Sequence, residues 1–142
     1  MSKSILLVED NSTDEKLTLR AFKKGNIHNE VVVVRDGAEA LAYLLDATNA
    51  LPTLVLLDLN LPRVSGLDVL RELRAHERTK FLPVVILTAS KEDEDLVNSY
   101  SLGANAYVRK PIEFGDFVEA ARTLGLFWLL LNEPVPARRD QS

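Results

Sequence analysis

A chain of 142 residues with 46% hydrophobic content has room for one domain with its own core and little for a second. Its 17 basic and 21 acidic residues leave a net charge of -4, and there is no basic run longer than a pair such as Arg138-Arg139, which argues against nucleic acid as a direct partner because phosphate backbones call for clustered cations. The absence of cysteine excludes disulfides and thiol chemistry, no secretion signal opens the chain, and the longest apolar run, Leu124 to Leu131, is far short of the roughly twenty residues that cross a bilayer, so no membrane insertion and a cytoplasmic location are expected.

In chain order, Ser4 to Val8 is an apolar strand run that ends in Glu9-Asp10. Asn11 to Glu15 then opens a helix, with Ser12 and Glu15 at capping-box spacing and Gly25 as the expected left-handed stop. Val31 to Val34 is the second strand. Asp36 caps a helix whose apolar stripe is read at Ala38, Leu41, Ala42 and Leu45. The third run, Leu54 to Leu57, delivers Asp58 to its end and stops at Pro62; continuous rather than alternating apolar residues predict a strand buried on both faces. Ser65 with Asp68 opens the next helix through Leu67, Leu70 and Leu73. Pro83 to Thr88 is the fourth strand, Ser90 is the expected cap of an acidic-started helix that stops at Gly103, and Ala106 to Arg109 is the fifth, closing at Lys110-Pro111. A last helix from about Glu113 presents Phe114, Phe117, Val118, Ala121 and Leu124. Five strand-helix alternations with short connections predict an α/β domain with a parallel sheet covered on both faces.

The chemistry-bearing residues all stand where a strand run stops: Glu9 and Asp10, Asp58, Thr88, and Lys110. In a parallel sheet those ends share one edge, where open α/β sheets bind ligands. Ionised carboxylates in contact repel by about 4 kcal/mol per pair in a surface-like dielectric, so such a cluster calls for a cation. Oxygen ligands without a suitably spaced histidine select a hard ion, magnesium or manganese in its place. Asp58 can act as a nucleophile toward a phosphoryl group that the ion, the Lys110 ammonium and the Thr88 hydroxyl help to neutralise. No glycine-rich nucleotide loop is present. Taken singly, Glu9-Asp10 reads as a solvated helix start, Lys110 as a surface lysine, and Tyr107 as a half-buried strand residue whose hydroxyl reaches water. His28 and His76 read as surface residues.

The segments Val8-Glu9-Asp10-Asn11, Leu57-Asp58-Leu59-Asn60-Leu61-Pro62, Leu87-Thr88-Ala89-Ser90 and Tyr107-Val108-Arg109-Lys110-Pro111 resemble, in order and on the expected elements, the response-regulator receiver domains of two-component signalling. The resemblance covers about residues 4 to 130. It implies a doubly wound, flavodoxin-like (βα)5 fold of strand order 2-1-3-4-5, an order that general accounts of this architecture already illustrate with a receiver. It implies that Asp58 takes a phosphoryl group from a sensor histidine kinase, with Asp10, Asp58, the Asn60 carbonyl and, through water, Glu9 holding Mg2+. Lys110 would pair with the phosphoryl oxygens and precede a cis Pro111; Thr88 and Tyr107 would form the switch acting on the surface of the last two helices and the last strand between them; Asn60 and Ser90 would flank the hydrolytic water. Such a protein is not an enzyme toward other substrates.

The late Phe-Trp-Leu, the helix over Glu92 to Tyr100 and the Arg-Lys-Pro are similar to stand-alone receivers paired with bacterial phytochrome kinases. A receiver over 1-131 with a loose tail over 132-142 is expected, and no output domain. The run Leu124 to Leu131 is apolar all round, more than one sheet face covers, which predicts a partner surface, a homodimer seam or a kinase dock anchored by Phe127 and Trp128, against a helix folding back on its own domain. Two other classes compete. A haloacid-dehalogenase-type phosphatase needs a second Asp where Asn60 stands and carries its nucleophile on its first strand, and a pseudo-receiver used only for binding has no need of mutually repelling acids.

Overall fold

The computed structural model describes residues 4–110 and 113–124. The strands are β1 (Ile5–Val8), β2 (Val31–Val34), β3 (Leu54–Leu57), β4 (Val84–Thr88) and β5 (Ala106–Arg109), and the helices are α1 (Ser12–Lys24), α2 (Gly37–Leu45), α3 (Gly66–Ala75), α4 (Asp93–Ser101) and α5 (Phe114–Leu124). All strand pairs are parallel and their order is β2-β1-β3-β4-β5, so chain order reverses direction across β1 and β3. This is the doubly wound flavodoxin-like arrangement, with its crevice between β1 and β3.

Strand alternation divides the core into two halves. Leu6, Val8, Val55, Leu57, Val84 and Ile86 pack with Ala40 and Leu44 of α2 and Val69, Leu70 and Leu73 of α3. Ile5, Leu7, Leu54, Leu56 and Val85 pack with Phe22 of α1 and Ala121 of α5, and Leu87 continues that layer against Ala21, Phe117 and Val118. β1, β3 and β4 are buried throughout because helices cover both faces, which is why their sequences do not alternate polar with apolar.

Helix starts follow side-chain capping, with two departures from expectation. Asp36 accepts the Glu39 N–H at 2.7 Å and Ser65 accepts the Asp68 N–H at 3.2 Å, as the sequence predicts. For α1 the cap is Asn11 and not Ser12: the Asn11 carboxamide accepts the Asp14 N–H at 3.0 Å, and Ser12 is already helical. An Asn caps as well as a Ser, so the exit from β1 decides between adjacent candidates. For α4 the cap position is Glu92, without a side-chain cap bond; Ser90 instead donates to Asp95 at 2.6 Å and accepts the Glu92 N–H at 3.3 Å, spanning the turn that precedes the helix.

Two further expectations are corrected. Gly25 closes α1 at φ -84, and the left-handed residue is Asn26 at φ 65, since Asn also tolerates that region. The buried face of α2 is Gly37, Ala40 and Leu44, while Ala42 is exposed. Gly37 sets this rotation: its N–H donates to the Pro62 carbonyl at 3.4 Å, and a Cβ there would overlap the Val64 carbonyl. Gly66 plays the matching part at α3, where a Cβ would overlap the carbonyl of Asp58. The start of α3 can therefore lie directly against the residue at the centre of the site.

Candidate active site at the carboxyl edge of the sheet

The backbones of Glu9, Asp58 and Lys110 each make the last rung of a ladder. Glu9 N–H donates to Val34 O at 3.0 Å, Asp58 N–H to Val8 O at 3.1 Å and Lys110 N–H to Thr88 O at 2.8 Å. Main chains are thus fixed by pairing while side chains project past the sheet. β1 and β3 are neighbours, which brings Glu9 and Asp10 beside Asp58. β5 lies three strand spacings from β1, roughly 14 Å, so only a long side chain on an inward-leaning turn can join them. Lys110 does so.

Lys110 Nζ lies 2.6 Å from Glu9 Oε1, 2.8 Å from Asp14 Oδ2 and 3.2 Å from Asp58 Oδ2. The other oxygen of Asp58 accepts the Asn60 N–H at 3.1 Å, and Glu9 Oε2 accepts the Asn11 N–H at 3.3 Å. Glu9 is 1% exposed, the Asp58 side chain 8% and the Lys110 side chain 11%, whereas Asp10 is open to solvent. Carboxylate oxygens of Glu9, Asp10 and Asp58 all come within 4.8 Å of one another.

Burial pushes the Glu9 carboxyl up from 4.5 to about 7, against the pull of its hydrogen bond and charge interaction with Lys110, and the Asp58 charge pushes the same way as burial. For Lys110, burial alone would favour the neutral amine. The hydrogen bonds to Asp14 and Glu9 and the charges of Asp58 and Glu9 outweigh it and hold the ammonium above its ordinary value. Four carboxyl groups to one ammonium is an excess of acid that a divalent cation would balance. The donors are hard oxygens, which suit magnesium or manganese.

Asp14 is the residue that sequence reading passed over, treated there as one acid of a helix start. Its signal was positional: it stands in the first turn of α1, on the sheet face that also covers β5. Thr88 and Tyr107 are placed differently. Thr88 is fully buried and shares the strand parity of Val84 and Ile86, and Tyr107 packs into that same layer, on the opposite face from α1 and α5. The Thr88 hydroxyl accepts the Ser90 N–H at 3.3 Å. The Tyr107 hydroxyl does not reach water: it is buried and without a hydrogen-bond partner among the described residues, as is the Ser99 hydroxyl on α4. His28 and His76 are exposed, as expected. The Lys110–Pro111 bond, Phe127, Trp128 and the tail lie outside the described residues.

A model of the response regulator receiver domain matches residues 5–122. The chain belongs to the receiver-domain family. Among curated relatives of this receiver, the probable methanogenesis regulatory protein FilR2 of Methanothrix harundinacea is 41% identical over 94% of this chain and 88% of its own length. Response regulator Rcp1 of Synechocystis is 37% identical over 89% of both chains. The solved Mn2+-bound form of Rcp1 superposes with a TM-score of 0.83 at 36% identity, covering 94% of this receiver and 99% of that chain. The bacteriophytochrome response regulator RtBRR gives a TM-score of 0.76 at 51% identity, covering 96% and 86%. Receivers bind Mg2+ or Mn2+ in an acidic pocket, and the Glu9, Asp10 and Asp58 cluster has that pocket's composition and place. The family is one of signalling proteins and not of metabolic enzymes, and no helix among the described residues is long and apolar enough to cross a membrane.

Proposed function

We propose that this receiver takes a phosphoryl group on Asp58 from a phosphohistidine of a sensor histidine kinase, with Mg2+ or Mn2+ held by Asp10, Asp58, the Asn60 carbonyl and, through water, Glu9. The observation that carries this reading is the convergence of Glu9, Asp58 and Lys110 in one pocket, with Asp10 at its rim. It supplies a carboxylate nucleophile, a fixed positive charge and oxygen ligands within a few ångströms.

An Asp58 oxygen forms a bond to phosphorus as the phosphorus–nitrogen bond breaks, and the leaving imidazole takes its proton from water. The bound cation would supply the charge neutralisation that lets two anionic groups meet. Asn60 N–H orients Asp58 from one side while Lys110 turns a donor toward the transferred group. The Thr88 hydroxyl, accepting from Ser90, keeps its own hydrogen for a phosphoryl oxygen. Thr88 turns toward that oxygen, and Tyr107, on the same sheet face, fills the space it leaves and carries the change to α4, β5 and α5. Identity of 51% to a bacteriophytochrome response regulator supports a phytochrome-type kinase as the donor.

Acetyl phosphate supplied to the purified chain tests the reading by intact mass. One phosphoryl group should be gained, only with divalent cation, and none by Asp58→Asn at unchanged circular dichroism. Continuous release of phosphate from unrelated esters would point to a phosphatase. No labelling under any condition would leave only a binding module.

A further inference from the structure

The Lys110 ammonium has three N–H donors, and three carboxylates receive them. Two of these acceptors, Glu9 and Asp58, belong with Asp10 to the cluster whose oxygens converge. Asp14 stands outside that cluster. A divalent cation drawing on Glu9, Asp10 and Asp58 both competes for their lone pairs and repels the ammonium beside them. Asp14 is then the acceptor that the ion leaves untouched.

The placement of Asp14 is built, and not incidental to an exposed acid. Its N–H is held by Asn11 Oδ1 at 3.0 Å, and its carbonyl accepts the hydroxyl of the fully buried Thr18 at 2.9 Å. The peptide groups before and after it are thus both anchored, and its side chain, one-third exposed, points at Lys110 with a contact of 2.8 Å, shorter than the one to Asp58.

We propose that Asp14 is a positioning residue for phosphoryl transfer: it keeps the Lys110 ammonium over the pocket when the cation occupies the other carboxylates. The proposal rests on the reading of Asp58 as phosphoryl acceptor. Without Asp14 the ammonium loses its one acceptor that the ion does not share, and it swings toward solvent or competes with the ion.

The test is the rate of Mg2+-dependent labelling of the full chain by acetyl phosphate. Loss of one charge-assisted hydrogen bond in Asp14→Asn should slow labelling roughly tenfold, and Asp14→Glu should recover part of it. In a Lys110→Met background Asp14→Asn should have no further effect, because the residue it positions is gone. A purely helical role for Asp14 would slow both backgrounds by the same factor and overturn the proposal, as would Asp14→Asn labelling at the wild-type rate. Those outcomes differ from failure of the underlying reading, in which the wild-type chain itself does not label or Asp58→Asn labels equally.

Discussion

Lys110 Nζ stands 2.6 Å from Glu9 Oε1 and 3.2 Å from Asp58 Oδ2, so the ammonium of the pocket leans toward the acid that follows β1 more than toward the likewise buried acid that follows β3. The balance at the site is therefore set by Glu9 as much as by Asp58.

Stability without divalent cation should fall as pH rises. The Glu9 carboxyl is raised by burial to about 7 from 4.5, so the folded chain holds this proton more tightly than the unfolded one. Its contribution is fully present below the unfolded value and is lost as pH climbs through the folded one, which places the window between about 4.5 and 7. Urea midpoints measured across that range should decline in the wild type and decline less in Glu9→Gln. Parallel curves for the two proteins would remove Glu9 from the explanation.

Removing the ammonium should destabilise the ion-free protein. Lys110→Ala leaves Glu9 and Asp58 facing each other with side chains 1% and 8% exposed, and breaking a buried pair of this kind costs on the order of 3 kcal/mol. Added Mg2+ should restore much of that loss, since it supplies positive charge to the same oxygens. Denaturation curves with and without the ion check this; a loss that Mg2+ leaves untouched would mean that Lys110 acts through packing alone.

The seam between α4 and β5 carries two buried hydroxyls, Ser99 Oγ and Tyr107 Oη, that have no partner among the described residues. A buried polar atom left unsatisfied costs about 1–3 kcal/mol, so Ser99→Ala and Tyr107→Phe should each raise stability and not lower it. Thermal denaturation measures the sign. A drop on both substitutions would show that these hydroxyls find partners in solution.

Much of this molecule was legible before any coordinates. Apolar runs named all five strands, β2 and β5 to the residue, because helices on both faces leave continuous hydrophobic stretches unbroken by polar positions. The acids and the lysine were legible too, since a charge that ends a buried strand has only the sheet edge to occupy. Asp36 and Ser65 were identifiable as caps from local chemistry.

What sequence by itself determined was the strand set, two of the helix caps and the placement of Glu9, Asp10, Asp58 and Lys110 where strands stop, all matters of local pattern and one-dimensional order. Tertiary structure decided the rest. The rotation of α2 came from Gly37 meeting the loop after β3, a contact across the fold that the helix's own leucines and alanines do not encode. The third acceptor of Lys110 came from α1 packing beside α5 on one face of the sheet, which sets residues 14 and 110 within 2.8 Å. The division of Glu9, Asp58 and Lys110 from Thr88 and Tyr107 came from strand parity once register was set. Each depends on distances between segments far apart in the chain, and these exist only after the sheet has assembled.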